Sequence, residues 1–220
     1  MAAENVSGVQ DRPRGLFSRF YASMSPRLDE EGLAELREEL LAPLAGAVVE
    51  VGAGPGGNFA RYPSGVVSVI AVEPEPYLRG LAGAAAGDAS VPTTVHAGVA
   101  EALPLPDSCA DGVVFCLVLC SVPDQIAAAT EAARVLRPGG IVRFLEHTRA
   151  EMRGLRTVQR VADATVWPLL TGGCHTCTDP VAALREAGFV VDDVRRLRFP
   201  ADRFTQPSTP HVLGTARLPG

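Results

Sequence analysis

The segment that most constrains the fold is VVEVGAGPGGNF, which runs from Val48 to Phe59. An apolar stretch carries a single acid, Glu50, and four glycines then fall within six residues. Glycine inside a regular element costs roughly 0.5–1 kcal/mol relative to alanine, so a cluster of glycines requires a compensating role. The pattern predicts a buried strand that ends in a tight turn, with a ligand close to the backbone of that turn.

Apolar segments recur along the chain, and helical stretches separate them. Predicted strands cover residues 47–51, 66–72, 91–98, 112–117 and 141–148. Strands that are apolar on both faces and alternate with helices are typical of a parallel sheet covered by helices on both sides. The sequence therefore predicts an α/β fold with a doubly wound sheet.

The helices between these strands are predicted from periodicity and capping residues. Residues 57–62 have room for one short helix, and residues 75–86 form another. A further helix covers 124–136, with Asp124 as its N-cap and Pro138-Gly139-Gly140 as its end. Its buried face is predicted to comprise Ile126, Ala129, Ala133 and Leu136.

Helices also dominate the two ends of the chain. Residues 16–44 are predicted to be largely helical, with an apolar stripe, while residues 1–15 are polar and expected to be mobile. Helical stretches at 151–170 and 180–187 precede two last strands, 189–197 and 211–216, which suit a late antiparallel pair. The sheet should thus have about seven strands, mostly parallel. The apolar stripe consists of Leu28, Leu33, Leu36 and Leu40.

Composition limits where such a protein acts. The chain has 220 residues, 47% of them apolar, and a net charge of -5, without a block of Lys or Arg that would bind nucleic acid. The N-terminus lacks the apolar core of a signal peptide. The longest apolar run, 113–120, is far shorter than the roughly 20 residues of a membrane helix. We expect a cytoplasmic protein with no stable membrane anchor and no nucleic-acid partner.

Five scattered cysteines are expected to be free thiols in a reducing compartment. The nearest pair, Cys174 and Cys177, flanks His175 and has the spacing of half a zinc site or of a redox pair. No second Cys/His pair is evident to complete a tetrahedral site. We therefore expect a loop with incidental thiols and no bound metal.

Two ligands suit the glycine turn, and glycine spacing does not distinguish them. Gly52, Gly54 and Gly57 match the G-x-G-x-x-G pattern of a dinucleotide site, which would make the protein an NAD-linked oxidoreductase. Gly52, Gly54 and Gly56 also match a G-x-G-x-G pattern, which suits S-adenosylmethionine. Either ligand has a ribose, and Glu73 at the end of the second strand is placed to bind its hydroxyls.

Glu50 favours S-adenosylmethionine. A buried carboxylate without a partner is costly, so this acid within an apolar strand needs one. S-adenosylmethionine carries an ammonium and a sulfonium, whereas the pyrophosphate of a dinucleotide carries only negative charge. The alternative partner for Glu50 is a set of backbone N–H groups within the turn.

With AVEP, AEALPLPDSCADGVV and RVLRPGG in this order, the chain resembles class I S-adenosylmethionine-dependent methyltransferases, in the branch of the ubiquinone/menaquinone-type enzymes. That resemblance covers about residues 43–140. FCLVLCSVPDQ, FLEH and STPHVLGTA resemble more narrowly the animal methyltransferase-like proteins that methylate alkyl thiols. The resemblance implies a Rossmann-like fold and methyl transfer to a small molecule, with a thiol as one acceptor. O- or C-methylation of a natural product or quinone, and cofactor binding without catalysis, stay open as alternatives.

The resemblance also implies roles for individual residues. Many members carry an aspartate where this chain has Val99, so the contact to the adenine amino group should come from Glu101, backbone or water. Glu73 would hold the ribose beside Pro74. Residues implied around the methionine end are Glu50, Gly52, Ala53, Gly54 and Gly56; those beside the adenine are Ala100 and Glu101; those that close the pocket are Cys116 and Leu117.

The acceptor site is predicted less directly. His147 follows the fifth strand and is the best candidate for a general base, unless it only bonds backbone groups; His175 is a second candidate. Trp167, Phe20 and Tyr21 suit the wall of an apolar acceptor pocket. By analogy with this fold, residues 1–45 are expected to form an N-terminal helical lid over a cofactor-binding domain at 46–220.

Overall fold

The computed structural model describes residues 15–201 and 205–220, which fold around one seven-stranded sheet. The strands are β1 (Gly46–Val51), β2 (Val66–Val72), β3 (Thr93–His96), β4 (Ala110–Cys116), β5 (Leu136–His147), β6 (Val190–Arg198) and β7 (Pro210–Arg217). Their order across the sheet is β3-β2-β1-β4-β5-β7-β6. β7 runs antiparallel to both neighbours, and the other pairs are parallel. The predicted doubly wound sheet is confirmed.

Helices cover both faces of the sheet. They are α1 (Gly15–Leu28), α2 (Ala34–Leu41), α3 (Pro76–Gly87), α4 (Gln125–Val135), α5 (Arg153–Asp163), α6 (Trp167–Leu170) and α7 (Pro180–Glu186). A π-helical stretch, Asp29–Leu33, joins α1 to α2, and Gly32 within it has a φ of 109°. The short helix predicted after the glycine turn is a 3-10 turn, Phe59–Arg61. In the described part of the chain, no helix has the length and apolar character that crossing a membrane requires.

Two apolar clusters form the core, one on each face of the sheet. Because successive side chains of a strand point to opposite faces, Val113 of β4 packs in one cluster and Val114 in the other. Phe144 and Leu145 of β5 divide in the same way, and all four side chains are fully buried. The central strands β4 and β5 are therefore apolar on both faces, as the sequence predicts, whereas the edge strand β6 is mostly exposed.

The helix α2 belongs to this core. Leu40 and Leu41 are fully buried and pack with Val48 of β1. Arg143 of β5 donates to the carbonyls of Leu40 and Glu39 at 2.8 and 2.9 Å, which fixes the end of α2 against the sheet. Packing is thus continuous across the predicted boundary after residue 45, and Leu28 at the end of α1 also packs against this cluster. The stretch predicted to be mobile lies outside the described residues except for Gly15.

The predicted buried face of α4 is confirmed at Ala129 and at Leu136, just beyond the helix, and is wrong at Ile126. Asp124 caps the helix as predicted, accepting from the amides of Ile126 and Ala127 at 3.0 Å. Ile126, however, is 38% exposed, while the buried residues are Ala128, Ala129, Ala132 and Val135. Alanines occur on several sides of this helix, so apolar periodicity alone does not define which side faces the core.

The start of β5 is also earlier than predicted. Pro138-Gly139-Gly140 lies inside the strand, which begins at Leu136 opposite Ala110 of β4. The register shifts between Ala110 and Gly112, and a proline without an N–H is tolerated at such an irregularity. The helix therefore ends at Val135, and the proline and glycines mark a bulge in the strand that follows.

Candidate functional site

A cavity of about 440 Å³ opens where the strand order reverses. After β1 the chain adds β2 and β3 on one side of the sheet, and β4 and β5 follow on the other. The ends of β1 and β4 therefore border a crevice with no connection running over it, where ligands bind in open α/β sheets. The volume lies in the range of small-molecule sites, about 300–1,000 Å³.

The glycine turn forms one wall of this cavity. Gly52 has a φ of 68°, and a Cβ there would lie 2.6 Å from Val118 Cγ2, so both conformation and space exclude a side chain. Gly54, with a φ of 56°, borders the cavity, and a Cβ there would lie 3.4 Å from Tyr21. The turn thus brings bare backbone to the cavity surface, as the sequence predicts.

Glu73 lies at the end of β2 and is oriented by backbone amides. Its Oε2 accepts from the Gly54 amide at 2.8 Å, and its Oε1 accepts from the Glu75 amide at 2.9 Å. The side chain is 5% exposed and lines the cavity. The acid therefore ties the glycine turn to the start of α3 and presents a fixed carboxylate to the cavity.

Glu50 lies behind the turn and not in the cavity lining. Its carboxylate accepts from Asn58 Nδ2 at 2.9 Å and from the Tyr62 hydroxyl at 2.7 Å. Burial raises the pKa of Glu50 to about 7, against the opposing effect of these two hydrogen bonds and of Arg37. The partners of this buried acid are thus side chains, whereas the sequence suggests a cationic ligand or backbone N–H groups.

Arg37 extends this buried network towards α1. Its Nη1 donates to Asn58 Oδ1 at 2.8 Å, and its Nε donates to Asp29 Oδ1 at 3.1 Å. The arginine is 5% exposed, and its Nη1 also lies 3.5 Å from the Cys116 sulfur at the end of β4. The sequence analysis missed Arg37, Asn58 and Tyr62; the only signal for Arg37 is a charge next to the leucines of an amphipathic helix.

The remaining predicted cofactor residues divide between lining and support. Ala53 and Gly56 belong to the turn but do not line the cavity; the Gly56 amide donates to the Ala53 carbonyl at 3.0 Å. Leu117 has a φ of 61°, a left-handed conformation that a leucine rarely adopts and that often marks a functional site. The predicted residues that line the cavity are Gly52, Gly54, Glu73, Pro74, Ala100, Glu101, Cys116, Leu117 and His147.

The helix α1 forms an apolar wall over the cavity. Phe17 stacks on Tyr21 with ring centroids 5.9 Å apart, and both line the cavity with Phe20. The guanidinium of Arg19 lies 4.8 Å from the ring centroid of Tyr77, which holds α1 against α3. The structure thus places the predicted wall residues Phe20 and Tyr21 at the cavity, together with Trp167.

On the other side, beyond β4 and β5, the cavity has a cluster of sulfur and imidazole groups. The sulfur of Cys174 lies 3.4 Å from His147 Nδ1, and the sulfur of Cys120 lies within 4.8 Å of both atoms. The adjacent Cys120 thiol, and then His147, hold the pKa of Cys174 well below its usual range despite burial. The Cys174 thiol and burial raise the pKa of Cys120. The pKa values of the two thiols are therefore shifted in opposite directions.

His211 stands beside this cluster because β7 is antiparallel. The start of β7 lies opposite the end of β5, which pairs His211 with His147 and brings their ring centroids to 4.5 Å. Burial and the nearby His147 lower the pKa of His211 to about 3. Its Nδ1 donates to the Thr209 carbonyl at 3.0 Å, since a carbonyl can only accept, so Nε2 carries no proton.

The Cys-x-x-Cys grouping of Cys174 and Cys177 with His175, which the sequence raises as an alternative, does not form. His175 and Cys177 are not part of the cluster; Cys174 is joined instead by Cys120 and His147 from distant parts of the chain. Cys177 donates its amide to Asp163, and His175 Nδ1 contacts the Gly173 carbonyl. All five cysteines are free thiols.

Comparison with known proteins agrees with this geometry. The family profile described as "Methyltransferase domain" matches residues 49–144. The human thiol S-methyltransferase TMT1A is 33% identical over 174 residues, which cover 77% of this chain and 70% of that protein. Human thiol S-methyltransferase TMT1B is 29% identical over 216 residues, 92% of this chain and 86% of that protein. In fold, a crystal structure of a putative sarcosine dimethylglycine methyltransferase from Galdieria sulphuraria matches with a TM-score of 0.71 at 15% identity, covering 92% of this chain and 98% of that one.

The sheet, the glycine turn and these matches define the class: the chain is an S-adenosylmethionine-dependent methyltransferase. Within that class it belongs to the family that includes the thiol S-methyltransferases TMT1A and TMT1B. The resemblance seen in the sequence is therefore confirmed, and the NAD-linked alternative is not.

The cavity fits the cofactor of this class. Its β1–β2 side offers the fixed Glu73 carboxylate, and Gly54 leaves backbone exposed where a side chain would crowd Tyr21. Apolar side chains of α1 and the side chain of Leu78 form further walls of the cavity. S-adenosylmethionine is a nucleoside joined to an amino acid. Its ribose hydroxyls require an acceptor such as a carboxylate, and its amino-acid end requires a turn without side chains beside that carboxylate.

Proposed function

We propose that this enzyme methylates small thiols, with the cofactor on the β1–β2 side of the cavity and the acceptor on the β4–β5 side. The observation that carries this proposal is the chemistry of the acceptor side. Its lining among the described residues combines aromatic and apolar groups with His147, Cys120 and Cys174, whereas the lining acids Glu73, Glu75 and Glu101 follow β2 and β3. Amine acceptors are commonly held by a carboxylate, so this lining suits a neutral, polarizable acceptor. The relatives TMT1A and TMT1B are thiol S-methyltransferases, which supports the same acceptor.

Several residues of this chain are proposed to hold the cofactor. Glu73 accepts hydrogen bonds from ribose hydroxyls, and the backbone at Gly52 and Gly54 borders the methionine end. Ala100 and Glu101 border the adenine, and Pro74, Cys116 and Leu117 close the walls between. When bound, S-adenosylmethionine supplies a methyl group that its sulfonium already activates.

Glu50 is proposed to act indirectly. It fixes Asn58 and Tyr62 beneath the turn, and it places negative charge below the site of a cationic ligand. Ala53 and Gly56 likewise support the shape of the turn without lining the cavity. These three residues are therefore positioning residues.

The chain needs to contribute only modest acid-base chemistry for a thiol acceptor. An unperturbed thiol has a pKa near 8.5 and is a few per cent thiolate at neutral pH. The protein then needs only to align the acceptor and to exclude water. The cavity walls formed by Phe17, Trp167 and Leu170 contribute to both. His147 stays the candidate base of the sequence analysis, although its Nδ1 is occupied by Cys174. The free thiols suit a reducing compartment such as the cytoplasm.

The experiment that tests the proposal is a labelled-methyl transfer assay against matched acceptors. We expect methylation of hydrogen sulfide or small alkyl thiols, and at most slow transfer to phenols, hydroxyls and amines of the same size. A protein with Glu73→Ala serves as the inactive control. Transfer to oxygen or nitrogen acceptors with none to thiols would contradict the thiol assignment.

We also propose that α1, within the predicted lid of residues 1–45, covers the bound cofactor. Its Phe17, Phe20 and Tyr21 line the cavity, and Arg19 holds the helix against Tyr77 of α3. Hydrogen exchange should therefore slow in residues 15–28 when S-adenosylhomocysteine binds. The helix α7, which is remote from the cavity, is the internal control. Unchanged exchange in α1 at saturating ligand would refute a lid.

A further inference from the structure

Three side chains from three elements converge on the acceptor side of the cavity. Cys120 lies in the 3-10 turn Leu119–Ser121 after β4, His147 ends β5, and Cys174 lies in the loop after α6. Their ligand atoms, two sulfurs and one ring nitrogen, all lie within 4.8 Å of one another. In the described part of the chain, no other group of three such residues converges in this way.

The loops that carry the two cysteines are fixed by hydrogen bonds of buried groups. Glu146, which is 0% exposed, accepts from the amides of Val118 and Leu119 at 2.8 and 3.0 Å. The His175 amide donates to the Cys120 carbonyl at 2.7 Å, which ties the second loop to the first. The two sulfurs therefore meet because the backbone on both sides is held in place.

A second set of bonds holds the Cys174 loop from behind. Asp163 accepts from the amides of Thr176 and Cys177, each at 2.8 Å. Gln159, which is 0% exposed, donates to the Thr148 and Thr176 carbonyls at 3.1 and 3.0 Å. Such supporting bonds around ligand side chains are typical of metal sites, where they fix ligand orientation.

We propose that Cys120, His147 and Cys174 bind a zinc ion, with a fourth coordination position that opens into the acceptor side of the cavity. Zn–S bonds of about 2.3 Å and Zn–N bonds of about 2.0–2.1 Å set ligand atoms roughly 3.4–3.8 Å apart in a tetrahedral site. The 3.4 Å between Cys174 Sγ and His147 Nδ1 already matches this spacing. Small side-chain rotations bring Cys120 into the same range.

Charge and accessibility support a divalent ion. Two thiolates and a neutral imidazole balance Zn²⁺, whereas two buried thiolates without a cation would repel one another. Cys120 and Cys174 are 2% and 7% exposed, and all three ligands line the cavity. Three protein ligands with an open position are the arrangement of catalytic rather than structural zinc sites.

The fourth position is assigned to the acceptor sulfur, and this part of the inference rests on the proposed function. The acceptor S–H bond breaks, its proton passes to solvent, and the electron pair on sulfur forms the bond to zinc. No oxidant or reductant is needed. The assignment makes His147 a metal ligand and not a general base.

Cobalt(II) titration of the full chain, freed of metal and kept reduced, tests the site without reference to activity. We expect one equivalent to produce a sulfur-to-cobalt charge-transfer band and the visible bands of tetrahedral cobalt, and zinc to abolish both. Cys120→Ser, Cys174→Ser and His147→Ala should each lose these bands. Cys109→Ser and Cys177→Ser, which change thiols outside the cluster, should keep them.

A measurement on the unmodified chain guards against variants that fail to fold. Zinc should protect two of the five cysteines from a thiol reagent, and mass mapping should identify Cys120 and Cys174. Absence of cobalt bands and of protection under reducing conditions would overturn the metal site. So would bands that persist when Cys120 and Cys174 are both replaced.

Addition of a small alkyl thiol to the cobalt form tests the fourth position. The charge-transfer band should intensify as a third sulfur binds, and a spectrum that does not change would overturn that assignment. Thiol methylation that continues in protein shown to be metal-free would overturn the catalytic role of zinc while leaving the proposed function intact. Zinc binding by a chain that methylates no thiol would leave the metal site standing and overturn the proposed function.

Discussion

Replacing Glu73 with alanine is expected to weaken the binding of S-adenosylhomocysteine by at least about 100-fold. Hydrogen bonds to a charged group contribute about 1.5–3 kcal/mol each, and two ribose hydroxyls are proposed to bond this carboxylate. A loss of about 3 kcal/mol corresponds to roughly two orders of magnitude in the dissociation constant. The substitution also removes the acceptor for the Gly54 amide, so the glycine turn keeps only its backbone bonds to Val72 of β2. Titration calorimetry measures the effect directly.

Two glutamine substitutions separate the effect of the Glu73 charge from the effect of its side-chain shape. Glu73→Gln keeps one oxygen acceptor and should lose less affinity than the alanine variant. Glu50→Gln should have a smaller effect than Glu73→Gln, because Glu50 does not line the cavity and bonds Asn58 and Tyr62 beneath the turn. An exposed acid on α7, Glu186, gives the neutral control when changed to alanine. Wild-type affinity in a folded Glu73→Ala protein would exclude the ribose role.

Gly56→Ala is expected to lower the free energy of unfolding by about 2–4 kcal/mol. The residue has a φ of 88°, a conformation that side chains rarely adopt. A Cβ there would also lie 2.9 Å from Ala85 Cβ and 2.9 Å from the Phe59 ring, and both neighbours are packed against the core. Strain and overpacking therefore act together, and chemical denaturation monitored by circular dichroism gives the difference.

Gly83→Ala is the matched control for that experiment. Gly83 lies in α3, is exposed, and a Cβ there would meet nothing within 4 Å. Alanine at an exposed helical position is favoured over glycine by about 0.8–1.0 kcal/mol, so this variant should be stabilised. Equal stability of the two variants would mean that the turn relaxes around the new methyl group, and that its shape is not fixed by Gly56.

The sequence could predict those features that local patterns determine. The central strands are apolar on both faces, so their positions and parallel arrangement follow from composition and spacing. Glu73 is an acid directly after an apolar strand, about 20 residues beyond the glycines, and its position at the cavity follows from the fold. Asp124 is a capping residue before a helical segment and caps it as predicted.

Features that depend on how distant segments meet could not be predicted in the same way. Cys120, His147 and Cys174 lie far apart in the chain, and only the sheet order and the loop bonds bring them together. The spacing of Cys174 and Cys177 pointed instead to a local pair. Arg37 is a charged residue in a helix with periodic leucines, a pattern that places charges on the solvated face. Its burial is favoured by hydrogen bonds to Asn58 and Asp29, which the pattern does not reveal.

The reversed direction of β7 has a consequence for how acceptor preference can change. Parallel strands deliver only their last residues to the ligand edge, but an antiparallel strand delivers its first, together with the connection that precedes it. Phe199, Pro200, Gln206 and Ser208 of the β6–β7 connection accordingly border the cavity, along with His211. Insertions or deletions in that hairpin would reshape this end of the cavity and leave the end at Glu73, where the cofactor is proposed to bind, untouched. Acceptor selectivity and cofactor affinity could then evolve independently.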